Sequence, residues 1–450
     1  MYTLMERLYP IHRCITGEGI RQSLKIISEY IPIKIENIPT NTKVFDWTIP
    51  EEWNINDAYI MKSNGEKIVD IKKSNLHILQ YSTSINKKIG FDELKEHIFT
   101  NKDQPDAIPY LTSYYNKNWG FCMEHNKFLK MSKEEYFVKI DSEHKNGSLT
   151  YGEFLIKGET DEEILISTYV CHPSICNDNL SGVVLSTLLA KILSDCNLHY
   201  SVRFLFIPET IGSIAWLYFN QDKVQKIKHG LVATCLGDSG ISTYKKSRDG
   251  NSVIDKVVEQ VLQESGEPFK ILDFWPSGGA DERQFSSPGF NIPVGSLMRT
   301  VYGTYGEYHT SADNLNFVNK ESLANSFSKY FTVIHHLDNL EWTEIKRDQQ
   351  SKKISKNNDP VFINLYPKCE PQLGKRGLYH IIGGITNQGK SYQKGGAFSW
   401  VLNFSDGFNS ISDIEKRAKS SIEDELDFET LLEAANILKE KKLLVENISN

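Results

Sequence analysis

The rest of the chain is organised around Thr168-Tyr-Val-Cys-His172-Pro-Ser-Ile-Cys-Asn-Asp178-Asn-Leu-Ser-Gly182. The apolar run Ile164–Val170 is short and rich in β-branched residues, which predicts a buried strand that delivers His172 to its end. Asp178 follows in a loop, and a helical pattern begins at Val183. A histidine and a carboxylate beyond a strand end lie where open α/β sheets place their sites, and both suit Zn²⁺. For this stretch alone, a loop histidine and a helix-capping aspartate remain the simpler interpretation.

The alternation of strand and helix continues through residues 136–340. The further candidate strands are Val202–Ile207, Gly230–Leu236 and Ile292–Met298, and helices are predicted at Val183–Leu193, Ile214–Asn220 and Ser252–Glu264. Strands separated by helices in this way form a parallel sheet that is covered on both faces. The sequence therefore predicts an α/β fold with a mainly parallel mixed sheet flanked by helices.

Polar side chains recur at the predicted strand ends. Glu209 and Asp238 each come directly after a predicted strand, and Asp281 precedes the last one. The segment Tyr308-His309-Thr-Ser-Ala-Asp313 leads into a later helix. Each residue alone has a simpler interpretation, as a solvated glutamate, a turn aspartate or a surface histidine. Because the carboxyl ends of parallel strands face one crevice, their repetition favours a shared metal site.

The order of these motifs resembles the aminopeptidase-like zinc exopeptidases, whose sites hold one or two zinc ions. In that family a histidine after a strand is followed by Asp-x-x-Ser-Gly, Glu-Glu-x-Gly, an aspartate after the next strand, and Tyr-His-Thr-x-x-Asp. The corresponding segments here are His172, Asp178-Asn-Leu-Ser-Gly182, Glu209-Thr-Ile-Gly212, Asp238 and Tyr308-His-Thr-Ser-Ala-Asp313. The resemblance implies that Asp178 is shared between two metals, that His172 and Asp238 complete one site, and that His309 belongs to the other.

The resemblance also implies roles for residues that do not hold the metal. Glu209 matches the general base, which takes a proton from the attacking water and returns it to the leaving amine. Asp313 matches a partner that fixes the orientation of a ligand. Tyr308 and Asp281 are expected in the same outer layer or in the substrate pocket.

Two positions depart from the family pattern. Thr210 replaces the second glutamate, which normally ligates the metal that is also held by the residue matching His309. Ser174 replaces an aspartate that commonly lies two residues after the histidine. A neutral hydroxyl is a poorer ligand for Zn²⁺ than a carboxylate. The number of zinc ions, one or two, therefore stays open, and Glu209 serves either as the base or as a ligand.

The composition is that of a soluble globular protein. The chain has a formal charge of −7, and 40% of its residues are hydrophobic and 24% charged. Its length of 450 residues predicts two or three domains. The mild negative charge argues against nucleic-acid binding by the chain as a whole. We expect no membrane span, because no apolar stretch reaches ~18 residues. The N-terminus lacks the features of a secretory signal.

The number and spacing of the cysteines indicate the redox environment of the protein. Seven are scattered without a CxxC pair, which predicts reduced thiols and a cytoplasmic location. Cys171 and Cys176 lie beside the candidate ligands. Since oxygen and nitrogen ligands are already available there, we predict that both are small buried hydrophobes.

Two further units accompany the α/β domain, which we assign to residues 1–35 and 136–343. Residues 36–135 combine dense aromatics and prolines with short β-type runs, and predict a β-rich insertion domain. The runs are Lys43–Thr48, Ala58–Met61, Lys67–Ile71 and Leu76–Tyr81. The polar segment 344–360 is predicted to be a linker.

Residues 361–450 form the third predicted unit, a small winged helix-turn-helix-like domain. Helices are expected at Gly395–Asn403, at Ile411–Ala418 after a capping box that begins at Ser410, and around Phe428–Leu438. The acidic start Ile422–Glu429 of the third helix would repel phosphate, which favours a protein partner over DNA. With the β-rich insertion, this unit extends the resemblance to bacterial aminopeptidases, some of them associated with polysaccharide-biosynthesis loci.

The sequence thus favours a zinc-dependent exopeptidase or amidohydrolase whose substrate is a peptide or a related small amide. The alternative is a degenerate peptidase fold that acts as a binding or scaffold protein, for which Thr210 and Ser174 are the motive. A third interpretation makes residues 361–450 the functional core of a transcription factor with a sensor domain.

Overall fold

The computed structural model describes residues 1–339, 359–379, 391–421 and 426–447. The N-terminal segment contains α1 (Tyr2–Leu8), α2 (Glu18–Ser28) and the strand β1 (Lys34–Pro39). Ile20, Leu24 and Ile27 lie on the buried face of α2, as their helical spacing predicts.

The inserted unit is built on a four-stranded antiparallel sheet in the order β5-β4-β9-β6. Its elements are β2 (Lys43–Val44), β3 (Trp47–Thr48), β4 (Glu52–Lys62), β5 (Lys67–Asp70), β6 (Ile85–Gly90), α3 (Phe91–Leu94), β7 (Ile98–Phe99), β8 (Phe121–Cys122), α4 (His125–Phe128) and β9 (Glu135–Lys145). The predicted strand Leu76–Tyr81 is wrong, because a 3₁₀ turn at Asn75–His77 leads into an irregular segment. Residues 76–81 are all buried, so this segment fills the core and has no solvent-facing side.

The α/β domain confirms the predicted fold class. Its elements are β10 (Ser148–Ile156), β11 (Glu163–Tyr169), α5 (Ser181–Leu193), β12 (Ser201–Ile207), α6 (Ile211–Phe219), β13 (Ile227–Ala233), β14 (Ser242–Lys245), α7 (Val253–Glu264), β15 (Phe269–Leu272), α8 (Glu282–Phe285), β16 (Val294–Met298) and α9 (Lys320–Asn339). The sheet has the order β1-β10-β12-β11-β13-β16-β14-β15. The four central strands β12, β11, β13 and β16 are parallel. β10 and β14 pair antiparallel with this centre, which makes the sheet mixed.

Two strands lie across the predicted boundaries of the insertion. β1 pairs antiparallel with β10 and so belongs to the main sheet, although most of it falls within residues 36–135. β9 pairs with β4 and β6 and so belongs to the insertion, although it lies within residues 136–343 for nearly all its length. The domain to which each strand belongs is decided by its pairing with other strands, which local composition does not predict.

The C-terminal unit comprises β17 (Val361–Asn364), α10 (Ser391–Phe404), β18 (Asp406–Ser410), α11 (Ile411–Lys419), α12 (Phe428–Glu440) and β19 (Leu444–Glu446). The three strands form a small sheet in the order β18-β17-β19. Ser410 and Asp413 make the predicted capping box of α11. The predicted linker 344–360 lies almost wholly outside the described residues, as do residues 422–425 of the acidic segment.

The winged-helix unit packs directly on the α/β domain. One buried cluster joins Trp275 and Tyr302 of the α/β domain to Trp400 of α10. Arg283 also pairs with Glu370 at 3.2 Å, in the segment that follows β17. Among the described helices, none is both long and apolar enough to cross a membrane. All seven cysteines are free thiols.

Candidate metal centre

Three of the predicted ligands converge at the carboxyl end of the parallel strands. His172 follows β11, Asp178 lies in the turn before α5, and His309 comes from the loop before α9. Asp178 Oδ2 lies 2.9 Å from His309 Nε2 and 4.0 Å from His172 Nε2. Glu209 follows β12, and its Oε2 lies 3.7 Å from His172 Nε2. The structure therefore brings these four side chains to one point.

The donor set fits a divalent metal ion. One atom each from His172, Asp178 and His309 lie within 4.8 Å of one another. Asp178 Oδ2 is buried and accepts no well-formed hydrogen bond, although two imidazole nitrogens face it. Two histidines, one carboxylate and an open position are a common arrangement in catalytic zinc sites.

Electrostatics support the same assignment. Burial lowers the pKa of His172 to about 4, so the imidazole is neutral at physiological pH and can ligate a metal. Burial by itself would raise the pKa of Asp178, but the His172 and His309 imidazoles bring it below its ordinary value. Burial raises the pKa of Glu209 well above its usual range, and repulsion from Asp281 and Asp178 adds to the shift. Glu209 thus has the environment of a group that takes up and releases a proton.

Asp313 holds the loop that carries Asp178. Its Oδ1 accepts a hydrogen bond from the Asn177 backbone N–H at 2.6 Å, and its Oδ2 accepts one from the Asp178 N–H at 3.0 Å. The Tyr169 hydroxyl donates to Asp178 Oδ1 from the last residue of β11. Asp178 is therefore fixed through both its backbone and its side chain.

Asp238 does not join this cluster. Its Oδ1 accepts hydrogen bonds from Gly240 N at 2.7 Å and Thr300 Oγ1 at 2.5 Å, and its Oδ2 accepts one from Asn177 Nδ2 at 2.9 Å. The predicted strand Gly230–Leu236 ends at Ala233 in the structure. The residue at the strand tip is consequently Thr234, whose Oγ1 lies 2.6 Å from the Tyr169 hydroxyl.

Asp281 and Tyr308 lie next to the cluster. Asp281 Oδ1 accepts hydrogen bonds from Thr210 N and Ser213 Oγ, both at 2.7 Å, and so holds the turn after Glu209. Burial raises the pKa of Asp281 to about 7. The Tyr308 ring stacks on His309, with centroids 3.9 Å apart. Asp281 thus supports the site through the backbone, and Tyr308 orients an imidazole.

One residue of the insertion, Tyr110, lies beside the candidate ligands although no sequence motif points to it. The buried Tyr110 ring lies 4.9 Å from the His172 ring and 5.1 Å from the His309 ring, measured between centroids. Its backbone N–H donates to His309 O at 2.8 Å. The many aromatic residues in 36–135 indicated that some of them could line a cleft. The sequence alone does not predict which ring packs against the candidate ligands.

Comparison with known proteins follows the same division of the chain. Residues 2–340 match a family described as a domain of unknown function, DUF4910. The chain belongs to the DUF4910 family. Residues 360–446 match a winged helix-turn-helix family, which confirms the predicted C-terminal unit.

One relative of this DUF4910 member comes from Clostridium acetobutylicum and is provisionally named a polysaccharide biosynthesis protein with an aminopeptidase-like domain. It is 50% identical over 445 residues, which cover 99% of this chain and 95% of the relative. A crystal structure from the same organism, provisionally named a peptidase, has 48% identity and a TM-score of 0.74, and the match covers 99% of this chain and 95% of that one. The zinc aminopeptidase BSAP of Bacillus subtilis is 12% identical with a TM-score of 0.57, over 76% of this chain and 95% of that one, which shows a shared fold.

Proposed function

We propose that this protein is a zinc-dependent, aminopeptidase-like hydrolase that cleaves a peptide bond or a related amide bond. The observation that carries the proposal is the convergence of His172, Asp178 and His309 beside Glu209 at the strand ends of an aminopeptidase-like fold. The names given to the C. acetobutylicum relative and to the B. subtilis zinc aminopeptidase support the same reaction class.

We propose that His172, Asp178 and His309 hold a single ion. The positions that would supply further carboxylates are hydroxyls with other partners. Ser174 Oγ donates to Tyr9 O at 2.8 Å, and Thr210 Oγ1 accepts from Arg283 Nη2 at 3.3 Å. A second ion would therefore lack charged ligands of its own.

In this mechanism the zinc, when bound, supplies a Lewis acid that polarises the substrate carbonyl and lowers the pKa of a water molecule. Glu209 accepts the proton from the attacking water and returns it to the leaving amine. Asp313 keeps the Asp178 backbone in place through two N–H groups. Tyr110 and Tyr308 pack against the imidazoles and restrict their rotation.

The decisive experiment combines metal analysis of the purified protein with hydrolysis of aminoacyl anilides. We expect about one zinc per chain, and we expect Glu209→Gln to retain the metal while hydrolysis falls about 10²- to 10⁴-fold. Glu159→Gln is a control, because the Glu159 side chain is 76% exposed and lies in another part of the molecule. Unchanged turnover in Glu209→Gln would reject the role of Glu209 as the base.

The competing proposal is a binding or scaffold protein on a peptidase fold, which the hydroxyls of Ser174, Thr210 and Thr234 favour. Purified protein without metal, and without hydrolysis when Zn²⁺ or Co²⁺ is added, would support this alternative. For the winged-helix unit we propose a protein partner, because α12 is capped by Asp427 and carries Glu429 in its first turn. Salt-dependent binding of duplex DNA would contradict that assignment.

A further inference from the structure

Cys171 lies between the predicted ligand His172 and the predicted base Glu209. It is fully buried, with 0% of its surface exposed. The backbone N–H of Glu209 donates a hydrogen bond to Cys171 Sγ at 3.3 Å. The same sulfur lies 3.6 Å from His172 Nδ1. The Cys171 sulfur therefore contacts both a predicted ligand and the predicted base. The sequence predicted only that Cys171 is a small buried hydrophobe.

We propose that Cys171 is a positioning residue whose sulfur accepts hydrogen bonds from His172 and Glu209 and thereby sets the tautomer of His172. This inference rests on the proposed function, because it concerns the same metal site. In this role Cys171 acts through His172 and Glu209 and is not itself a ligand of the metal.

The direction of the hydrogen bond follows from the two nitrogens of His172. Nε2 faces Asp178 Oδ2 and Glu209 Oε2, so a metal held there needs the Nε2 lone pair. A neutral imidazole carries one proton, which then lies on Nδ1. With the proton there, Nδ1–H would donate to Cys171 Sγ, which lies 3.6 Å away. Metal-ligating histidines usually give this second N–H to a carboxylate, a carbonyl or water, and here a sulfur takes it.

Glu209 is tied to the same atom. A backbone N–H can only donate, so the 3.3 Å contact makes Cys171 Sγ its acceptor. The sulfur is therefore in contact with the backbone of Glu209 as well as with the ring of His172. The sulfur lies on the Nδ1 side of the ring, whereas Asp178 Oδ2 faces Nε2. Cys171, His172 and Glu209 also bring ligand atoms within 4.8 Å of one another, so the test must distinguish a sulfur that positions His172 from a sulfur that binds the metal.

The test measures Zn²⁺ affinity by competition with a chromogenic chelator, which does not depend on hydrolysis. Cys171→Ala removes the acceptor, and we expect the affinity to fall about 10- to 100-fold. Cys171→Ser offers a hydroxyl acceptor, and we expect it to recover a large part of that loss. Cys122→Ala is the control for packing, because Cys122 is equally buried in a cluster that reaches the imidazoles through Tyr110, whereas Cys171 Sγ itself contacts His172 Nδ1.

Two spectroscopic readouts separate positioning from mere packing. In ¹⁵N-histidine spectra of the zinc-loaded wild-type protein, we expect the His172 proton on Nδ1, and we expect that signal to shift in Cys171→Ala and not in Cys122→Ala. The Co²⁺-substituted protein should lack the intense near-ultraviolet band of a cobalt thiolate. That band would overturn the proposal, because it would make Cys171 a direct ligand.

The failure of this inference differs from the failure of the proposed function. Wild-type protein that binds no Zn²⁺ would remove the metal site itself. Wild-type protein that binds Zn²⁺ with an affinity equal to that of Cys171→Ala would leave the metal site intact and refute the role of the sulfur.

Discussion

Gly182 in the first turn of α5 is where the position of Asp178 can be tested most directly. A Cβ at this residue would lie 2.1 Å from Ala233 O, 2.5 Å from Asn179 Oδ1 and 2.7 Å from Thr168 Oγ1. The first neighbour is backbone at the end of β13, so the clash cannot be relieved by rotating a side chain. Gly182→Ala must push the start of α5 away from the sheet, and with it the loop that carries Asp178.

The cost of Gly182→Ala can be worked from the contacts that it breaks. Asn179 Nδ2 donates to Thr168 Oγ1 and to Ala233 O, each at 3.0 Å. Losing both hydrogen bonds costs about 1 kcal/mol each, and overpacking adds about 1 to 3 kcal/mol. The higher helix propensity of alanine offsets about 1 kcal/mol. We therefore expect the free energy of unfolding to fall by about 2 to 4 kcal/mol.

Urea denaturation followed by circular dichroism measures this change, and chelator competition measures the accompanying loss of Zn²⁺ affinity. Gly374→Ala is the matched control, because a Cβ there would meet nothing within 4 Å and the residue does not have a positive φ. A Gly182→Ala protein within about 0.5 kcal/mol of the wild type, with full Zn²⁺ affinity, would refute the packing argument.

Two further predictions concern groups outside the site. Burial lowers the pKa of His12 to about 4, whereas the unfolded value is ~6.5. The unfolded chain therefore binds the extra proton between these values, and the free energy of unfolding should fall by up to about 3 kcal/mol as the pH drops through that window. Denaturation at several pH values should show a shallower fall for His12→Gln; an equal slope would contradict the assignment. Arg203 pairs with Glu163 in the core at 2.6 Å, with side chains 5% and 2% exposed. Arg203→Met should cost about 3 to 5 kcal/mol, because it leaves a buried carboxylate unpaired. Arg7→Met, which breaks the exposed pair with Glu29, should cost much less, because solvent screens a surface ion pair. Equal losses in the two variants would show that burial is not the cause.

The sequence predicted the centre of the sheet within narrow limits. β11 and β12 begin one residue before the predicted strands, and every residue in both is buried. Such strands appear in sequence as continuous apolar runs, which is why their type and position were recoverable. His172, Asp178, Glu209 and His309 came together for the same reason, since parallel strands end on one side of the sheet.

The sequence did not predict the position of Asp238 correctly, because it placed the end of the preceding strand at the wrong residue. The apolar run continues beyond Ala233 through Cys235 and Leu236, which are buried but no longer part of a strand. The strand ends where the pairing of β13 with β11 and β16 ends, at Val232 and Ala233. Pairing depends on the neighbouring strands and not on the run itself, so the sequence placed the strand tip too far along the chain.

By itself, the amino-acid sequence determined the α/β class and the winged-helix unit, and it indicated His172, Asp178 and His309 as candidate ligands, because strand burial, helix periodicity and ligand chemistry are local properties. The tertiary structure alone decided that Tyr110 of the insertion packs against the candidate ligands, that Asp238 is occupied elsewhere, and that the Cys171 sulfur contacts both His172 and Glu209. These contacts join residues or atoms whose relative positions depend on strand register and loop path. Neither is encoded in any single stretch of the chain.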